Sequence, residues 1–143
     1  MISFIRKAII DTDFLLSLFN PVDVNNNKAV KILKKAQKDS LSVYILPTTI
    51  CEFSLIAAGK IGKEEAKEAV KTVSGKDFIL IDINEPFVKK GLEIFYKQTS
   101  RNESLFDCFV MSAVNQYKID IIFSFDRGYK KNGYRLAEEL YKN

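Results

Sequence analysis

Four acids, Asp11, Glu52, Asp107 and Asp126, each stand just past a short apolar run or near the head of a longer helical one. If the short runs are parallel strands, the four carboxylates converge on one edge of a sheet, where open α/β folds bind ligands. Two carboxylates about 4 Å apart repel by roughly 4 kcal/mol at an effective dielectric of about 20, so such a cluster calls for a cation or for protons. The chain has no histidine, which removes Ser-His and Cys-His nucleophiles, imidazole zinc sites and histidine general bases together. Oxygen donors alone select Mg²⁺ or Mn²⁺ over zinc or copper. One or two such ions would activate water and steady the oxyanions of a phosphodiester under attack.

Each acid also has a structural reading. Asp11 fits a helix N-cap. Thr49-x-x-Glu52 and Ser104-x-x-Asp107 both match the capping box, in which the acid reaches back to the cap's amide. Asp126, before Arg127 and Gly128, fits a turn aspartate. Taken singly, each is accounted for by local structure; the conjunction points to a shared site.

The elements that must position these acids follow from the apolar pattern. Ala8 to Ile10 is a buried strand that stops on Asp11. Phe14, Leu15, Leu18 and Phe19 then repeat at helical spacing until Asn20 and Pro21 end the element. Asp23 to Asn27 is a polar loop, followed by a helix with Ala29, Val30, Leu33 and Ala36 inside and Lys28, Lys31, Lys34, Lys35 and Lys38 outside. Leu41 to Leu46 is a second strand. Pro47 suits the first turn of the next helix, which runs past Glu52 to Gly59, and Gly62 separates it from a Lys/Glu-rich helix over 63–73. Phe78 to Ile81 is a third strand. A helix from about Asn84 places Phe87, Gly91, Leu92 and Phe95 inward. After a polar break from Gln98 to Glu103, Leu105, Phe106, Phe109, Val110, Ala113, Val114 and Tyr117 form a wide apolar stripe. Ile119 to Phe125 holds a fourth strand ending at Asp126. Gly133 to Leu136 fits a short edge strand, while Ala137 to Tyr141 fits instead the prolonging of a helix, and the pattern sets no boundary between the two. Strands alternating with helices, with no repeat or linker, indicate one α/β domain over 1–143 with a mainly parallel sheet.

At 143 residues, 47% hydrophobic and 28% charged, the chain has the balance of a globular protein with a proper core. A net charge of +4 is compatible with a phosphate-rich partner without establishing one. Cys51 and Cys108 form no CxxC pair, which suits a reduced, cytoplasmic setting with both as small buried hydrophobes. The start Met1-Ile2-Ser3-Phe4-Ile5-Arg6-Lys7 carries charge where a secretory signal needs its apolar stretch, and no segment has the length of a membrane span.

The pieces that carry these acids resemble those of the PIN-domain ribonucleases, of the small single-domain kind found as VapC-type toxins. They are Ile10-Asp11-Thr12-Asp13-Phe14-Leu15, Pro47-Thr48-Thr49-Ile50-Cys51-Glu52-Phe53, Ser104-Leu105-Phe106-Asp107-Cys108-Phe109 and Ser124-Phe125-Asp126-Arg127-Gly128-Tyr129. The resemblance runs from about Lys7 to Leu136. It implies a three-layer α/β/α sandwich around a mainly parallel sheet of four or five strands. It also implies that Asp11, Glu52, Asp107 and Asp126 hold Mg²⁺ or Mn²⁺ and cut single-stranded or loop RNA. Thr12 and Ser124 fall where the family has small hydroxyl residues that orient the acids or ions. Asp13 stands where Asn is common in these toxins, so it is either an added ligand or a changed neighbour. Family habit further implies an antitoxin partner and, with the apolar helices, a homodimer.

Other residues carry less. Glu103, one helical turn before Asp107, reads as solvated, though it could join the site. Arg127, Lys130 and Lys131, interleaved with Tyr129 and Tyr134, could hold RNA phosphates and stack bases, or form an ordinary exposed loop. The lysine face from Lys28 to Lys38 reads as a solvated helix surface. Two competing functions remain open. Asp11-Thr12-Asp13 also resembles the opening of haloacid-dehalogenase-type phosphatases, with Asp11 as nucleophile, which leaves Glu52 and Asp107 unexplained. A PIN-like module that processes or binds RNA without a toxin role would keep the same fold.

Overall fold

Every residue of β1 (Lys7–Ile10) after Lys7 is buried: Ala8 and Ile10 face one layer of helices and Ile9 the other. That alternation marks a strand covered on both faces, where parallel pairing is at home. In this computed structural model, which describes residues 4–141, β1 pairs in parallel with β2 (Ser42–Ile45) on one side and β4 (Ile121–Phe123) on the other. Ala8 lies opposite both Val43 and Ile121. β3 (Ile79–Leu80) pairs in parallel with β2, which completes the order β3-β2-β1-β4. Met1 to Ser3, the start of the charged N-terminal stretch, lie outside the described residues.

The sheet separates two apolar cores. On one face, α1 (Thr12–Phe19), α2 (Asn26–Lys38), α3 (Pro47–Lys60), α4 (Lys63–Val73) and the short α8 (Ala137–Leu140) pack on Ala8, Ile10, Val43, Ile45, Ile121 and Phe123. On the other, α5 (Glu85–Lys97), α6 (Leu105–Tyr117) and the short α7 (Gly128–Lys131) pack on Ile9, Leu46 and Ile122. The result is a three-layer α/β/α sandwich with four parallel strands, as expected. The chain steps outward from β1 to β2 to β3, and then crosses to the far side of β1 for β4. The strand order therefore reverses between β1 and β4, and a crevice opens past their carboxyl ends. Asp11 and Asp126 follow those two ends.

Several elements differ from expectation. Pro47 is the first residue of α3, with Leu46 as a cap that offers no side-chain bond. Thr49 is consequently inside the helix and buried, and the Thr49/Glu52 capping box does not form. The third strand shrinks to Ile79–Leu80, an edge pair 44% and 54% exposed. Phe95 is exposed, as is Phe106 at 40%, while Met111 and Ser112 are buried instead. α5 and α6 pack closely: a Cβ on Gly91 would stand 2.4 Å from the Phe109 ring, so the glycine lets the two helices approach. The expected edge strand from Gly133 to Leu136 is reduced to a single parallel bridge, Ile122 to Leu136, before α8 begins. Among the described residues no helix is long and apolar enough to cross a membrane.

Candidate active site

Asp11 remains tied to the sheet, its backbone N–H donating to the Phe123 carbonyl at 3.2 Å. Its side chain caps α1, with Oδ1 accepting the Phe14 N–H at 3.2 Å. It is buried, and that desolvation, followed by the charge of Asp13, pushes its carboxyl well above the ordinary range; hydrogen bonding from Ser124 and Phe14 pulls the other way. The next residue, Thr12, donates its hydroxyl to Glu52 Oε1, pinning α1 to α3. Glu52, with no capping role, has this contact as its tie to α1.

Asp13 binds the far side of the crevice. Its Oδ1 accepts Ser124 Oγ–H at 3.0 Å and the Phe125 N–H at 3.2 Å. Ser124 is buried, and its oxygen in turn accepts the Asp126 N–H at 2.9 Å. Asp126 Oδ1 accepts the Gly128 N–H at 2.8 Å, the turn role its sequence suggested. Asp13 thus holds the β4–α7 turn against α1 and stands beside Asp11 as a like charge. Replacing Asp13 by Ala leaves the Ser124 hydroxyl and Phe125 amide without their acceptor, at an expected cost of about 1–3 kcal/mol in urea unfolding. Asp13→Asn keeps an acceptor oxygen and removes the charge beside Asp11, so its unfolding midpoint should match or exceed that of the unaltered protein. A large loss in the Asn variant would show that the charge itself is needed.

Asp107 forms a full capping box with Ser104: Ser104 N–H donates to Oδ2 at 3.1 Å, and Asp107 N–H to Ser104 Oγ at 3.2 Å. Its other oxygen, Oδ1, accepts the Tyr129 hydroxyl at 3.1 Å. Burial raises the Asp107 carboxyl, the charge of Asp126 adds to this, and hydrogen bonds from Ser104 and Tyr129 offset part. The Tyr129 hydroxyl is pushed well above its usual value by burial and then by the charges of Asp11 and Asp107. Asp11 and Asp107 therefore both bear on Tyr129, and Asp126 bears on Asp107. As the side chains stand, no three acids among the described residues are close enough to share one ion.

Some residues depart from their sequence reading. Tyr129 is 1% exposed, so it cannot stack bases; α7 turns it inward onto Asp107, where it acts as a tether. Glu103 is buried rather than solvated. Cys51 is exposed, and Cys108 is buried. Burial, then Asp107 and Glu103, push the Cys108 thiol up to about 11, which leaves it without nucleophilic character. Arg127, Lys130 and Lys131 are exposed beside Asp126, with Lys130 paired to Glu139 at 3.3 Å. On the lysine face of α2, Lys28 pairs with Glu138 at 3.1 Å and Lys35 with Asp39 at 3.5 Å, as a solvated surface would.

A model of the PIN domain matches residues 8–133. Among solved structures, the chain is similar to VapC20, the sarcin-ricin-loop-cleaving toxin of Mycobacterium tuberculosis. That match has a TM-score of 0.78 at 16% identity, covering 89% of this chain and 95% of that one. It is also similar to PAE2754 of Pyrobaculum aerophilum, with a TM-score of 0.65 at 15% identity, covering 96% and 93%. At such identities the likeness shows the fold. No curated protein matches the chain. The matched stretch opens in β1, closes just past α7, and spans Asp11, Glu52, Asp107 and Asp126; by this match the chain belongs to the PIN-domain family.

Proposed function

We propose that the protein is a divalent-metal-dependent endoribonuclease, with residues 1–143 acting as one PIN domain and its toxin role paired with a protein antitoxin. The observation that carries the reading is the meeting of family and site: a PIN match that spans all four acids, with the charges of Asp11 and Asp107 both bearing on the Tyr129 hydroxyl and that of Asp126 on Asp107. VapC20 is a sarcin-ricin-loop-cleaving toxin, and an RNA substrate fits a crevice flanked by exposed Arg127, Lys130 and Lys131.

The donor set suits a hard cation. Asp11 is buried and Asp107 half-buried, and both carboxylates are held above their ordinary range by desolvation and a neighbouring acid, the condition a cation relieves. Asp11, Asp107 and Asp126 would hold Mg²⁺ or Mn²⁺, with Glu52 on the α3 side. When bound, the ion lowers the pKa of water and neutralises charge on the phosphate. The chain's own part is to fix the carboxylates: Thr12 sets Glu52, Tyr129 and Ser104 set Asp107, and Ser124 with Asp13 sets the turn that carries Asp126. A phosphatase using Asp11 as nucleophile would leave the Thr12–Glu52 and Tyr129–Asp107 contacts without purpose. Homodimerisation belongs to the same reading, and sedimentation at micromolar concentration tests it.

Labelled RNA incubated with purified protein should be cut internally with Mg²⁺ or Mn²⁺ present and left intact in EDTA. Undiminished cleavage in EDTA, or release of phosphate from p-nitrophenyl phosphate without RNA cleavage, would remove this reading.

A further inference from the structure

Glu103 lies just before the N-cap of α6, yet it is only 8% exposed. None of the ion pairs among the described residues includes it. Among the described residues the one fully enclosed side-chain polar atom without a partner is Thr48 Oγ1, so the Glu103 oxygens keep a narrow opening to water. Their position is set by α7: a Cβ on Gly128 would stand 2.3 Å from Glu103 Oε1 and 3.1 Å from Asp126 Oδ1. The two oxygens border one small space that exists because residue 128 has no side chain. Asp107 is near as well, since the Cys108 thiol feels both Asp107 and Glu103.

Two acids that face one small, largely enclosed space are poorly placed unless something positive enters between them. We propose that Glu103 is a fifth carboxylate of the site, and that with Asp126 it takes up a hard divalent cation in the space Gly128 leaves open. The inference rests on the metal-dependent reading above and extends it to a residue outside the four acids. Two carboxylates are enough for such an ion: Mg²⁺ keeps several waters and is held by one or two carboxylates together with substrate phosphates.

Titration of Mn²⁺ into the intact protein by calorimetry tests this, with Glu103→Gln, Gly128→Ala and Asp11→Asn compared and folding checked by melts in EDTA. Glu103→Gln keeps the shape and removes the anion; in Gly128→Ala the new methyl displaces the flexible end of Glu103. Each is expected to weaken Mn²⁺ binding about tenfold or more, or to remove one ion from the stoichiometry. A Glu103→Gln titration that superimposes on that of the unaltered protein, while Asp11→Asn is weakened, overturns the role of Glu103 and leaves the ribonuclease reading intact. Weakened binding in Glu103→Gln with Asp11→Asn unaffected supports Glu103 and overturns the placement of the ion at Asp11. No Mn²⁺ uptake by the unaltered protein overturns both.

Discussion

Asp11→Asn should lower RNA cleavage roughly 1000-fold, a loss of about 4 kcal/mol of transition-state stabilisation, while making the metal-free protein more stable. The second half follows from the sign of the shift. Burial and Asp13 raise the folded pKa of Asp11 well above its unfolded value. The stability it contributes is therefore fully present below the unfolded pKa and is lost as pH rises through the folded one. At pH 7 an ionised Asp11 opposes folding. Asparagine carries no charge and still caps α1, because its side-chain oxygen can accept the Phe14 amide as Asp11 does. In EDTA, unfolding midpoints should be higher for the variant at pH 7, and the two proteins should converge toward acid pH. Asp107, raised by burial and Asp126, contributes with the same sign. Wild-type cleavage by Asp11→Asn would take Asp11 out of the mechanism, and a lower midpoint at pH 7 would mean that its charge is compensated.

The opposing effects explain why the acids could be found from sequence and their state could not. A strand that stops on an acid ahead of a helical period is a local pattern, and it located Asp11, its cap and the neighbouring α1. The parallel sheet followed from alternation of element types, and with it the edge to which the acids would be delivered. Structural and functional readings of these acids turn out not to exclude each other: Asp11 is an N-cap, Asp107 closes a capping box and Asp126 makes its turn. Glu52 is the exception, because Pro47 starts α3 early enough to carry Thr49 inside it. Tyr129 and Glu103 were misjudged for another reason. Tyr129 meets Asp107 across 22 positions, and Glu103 fills a space made by a glycine in a different helix. No periodicity within one element reports such contacts. Asp13 is the intermediate case: its place beside Asp11 was visible, but its engagement by Ser124 and Phe125, from the other end of the chain, was not.

Phe14 is where the fold and the site depend on each other most directly, and Phe14→Ala should cost about 3–5 kcal/mol. The ring is fully buried, 5.3 Å from the Phe123 ring of β4 and stacked at 5.3 Å on Phe125 in the turn that leads to Asp126. Truncation removes the transfer energy of the ring and leaves a cavity between α1 and the end of β4 that neighbouring strands cannot close. Against a typical domain stability of about 5–15 kcal/mol, the loss is a large fraction of the whole. The same contact braces the Asp13–Ser124 and Asp13–Phe125 bonds, so the cavity sits beneath the loop that places Asp126. Urea unfolding should show the midpoint falling with little change in slope, as expected when stability alone is lost. Cleavage measured at low temperature, where the variant is still folded, should also drop, because the turn loses its support. Phe14→Leu, which refills most of the volume, should recover the greater part of both. A Phe14→Ala protein with an unchanged midpoint would mean that α1 and β4 are held together by something other than this aromatic contact.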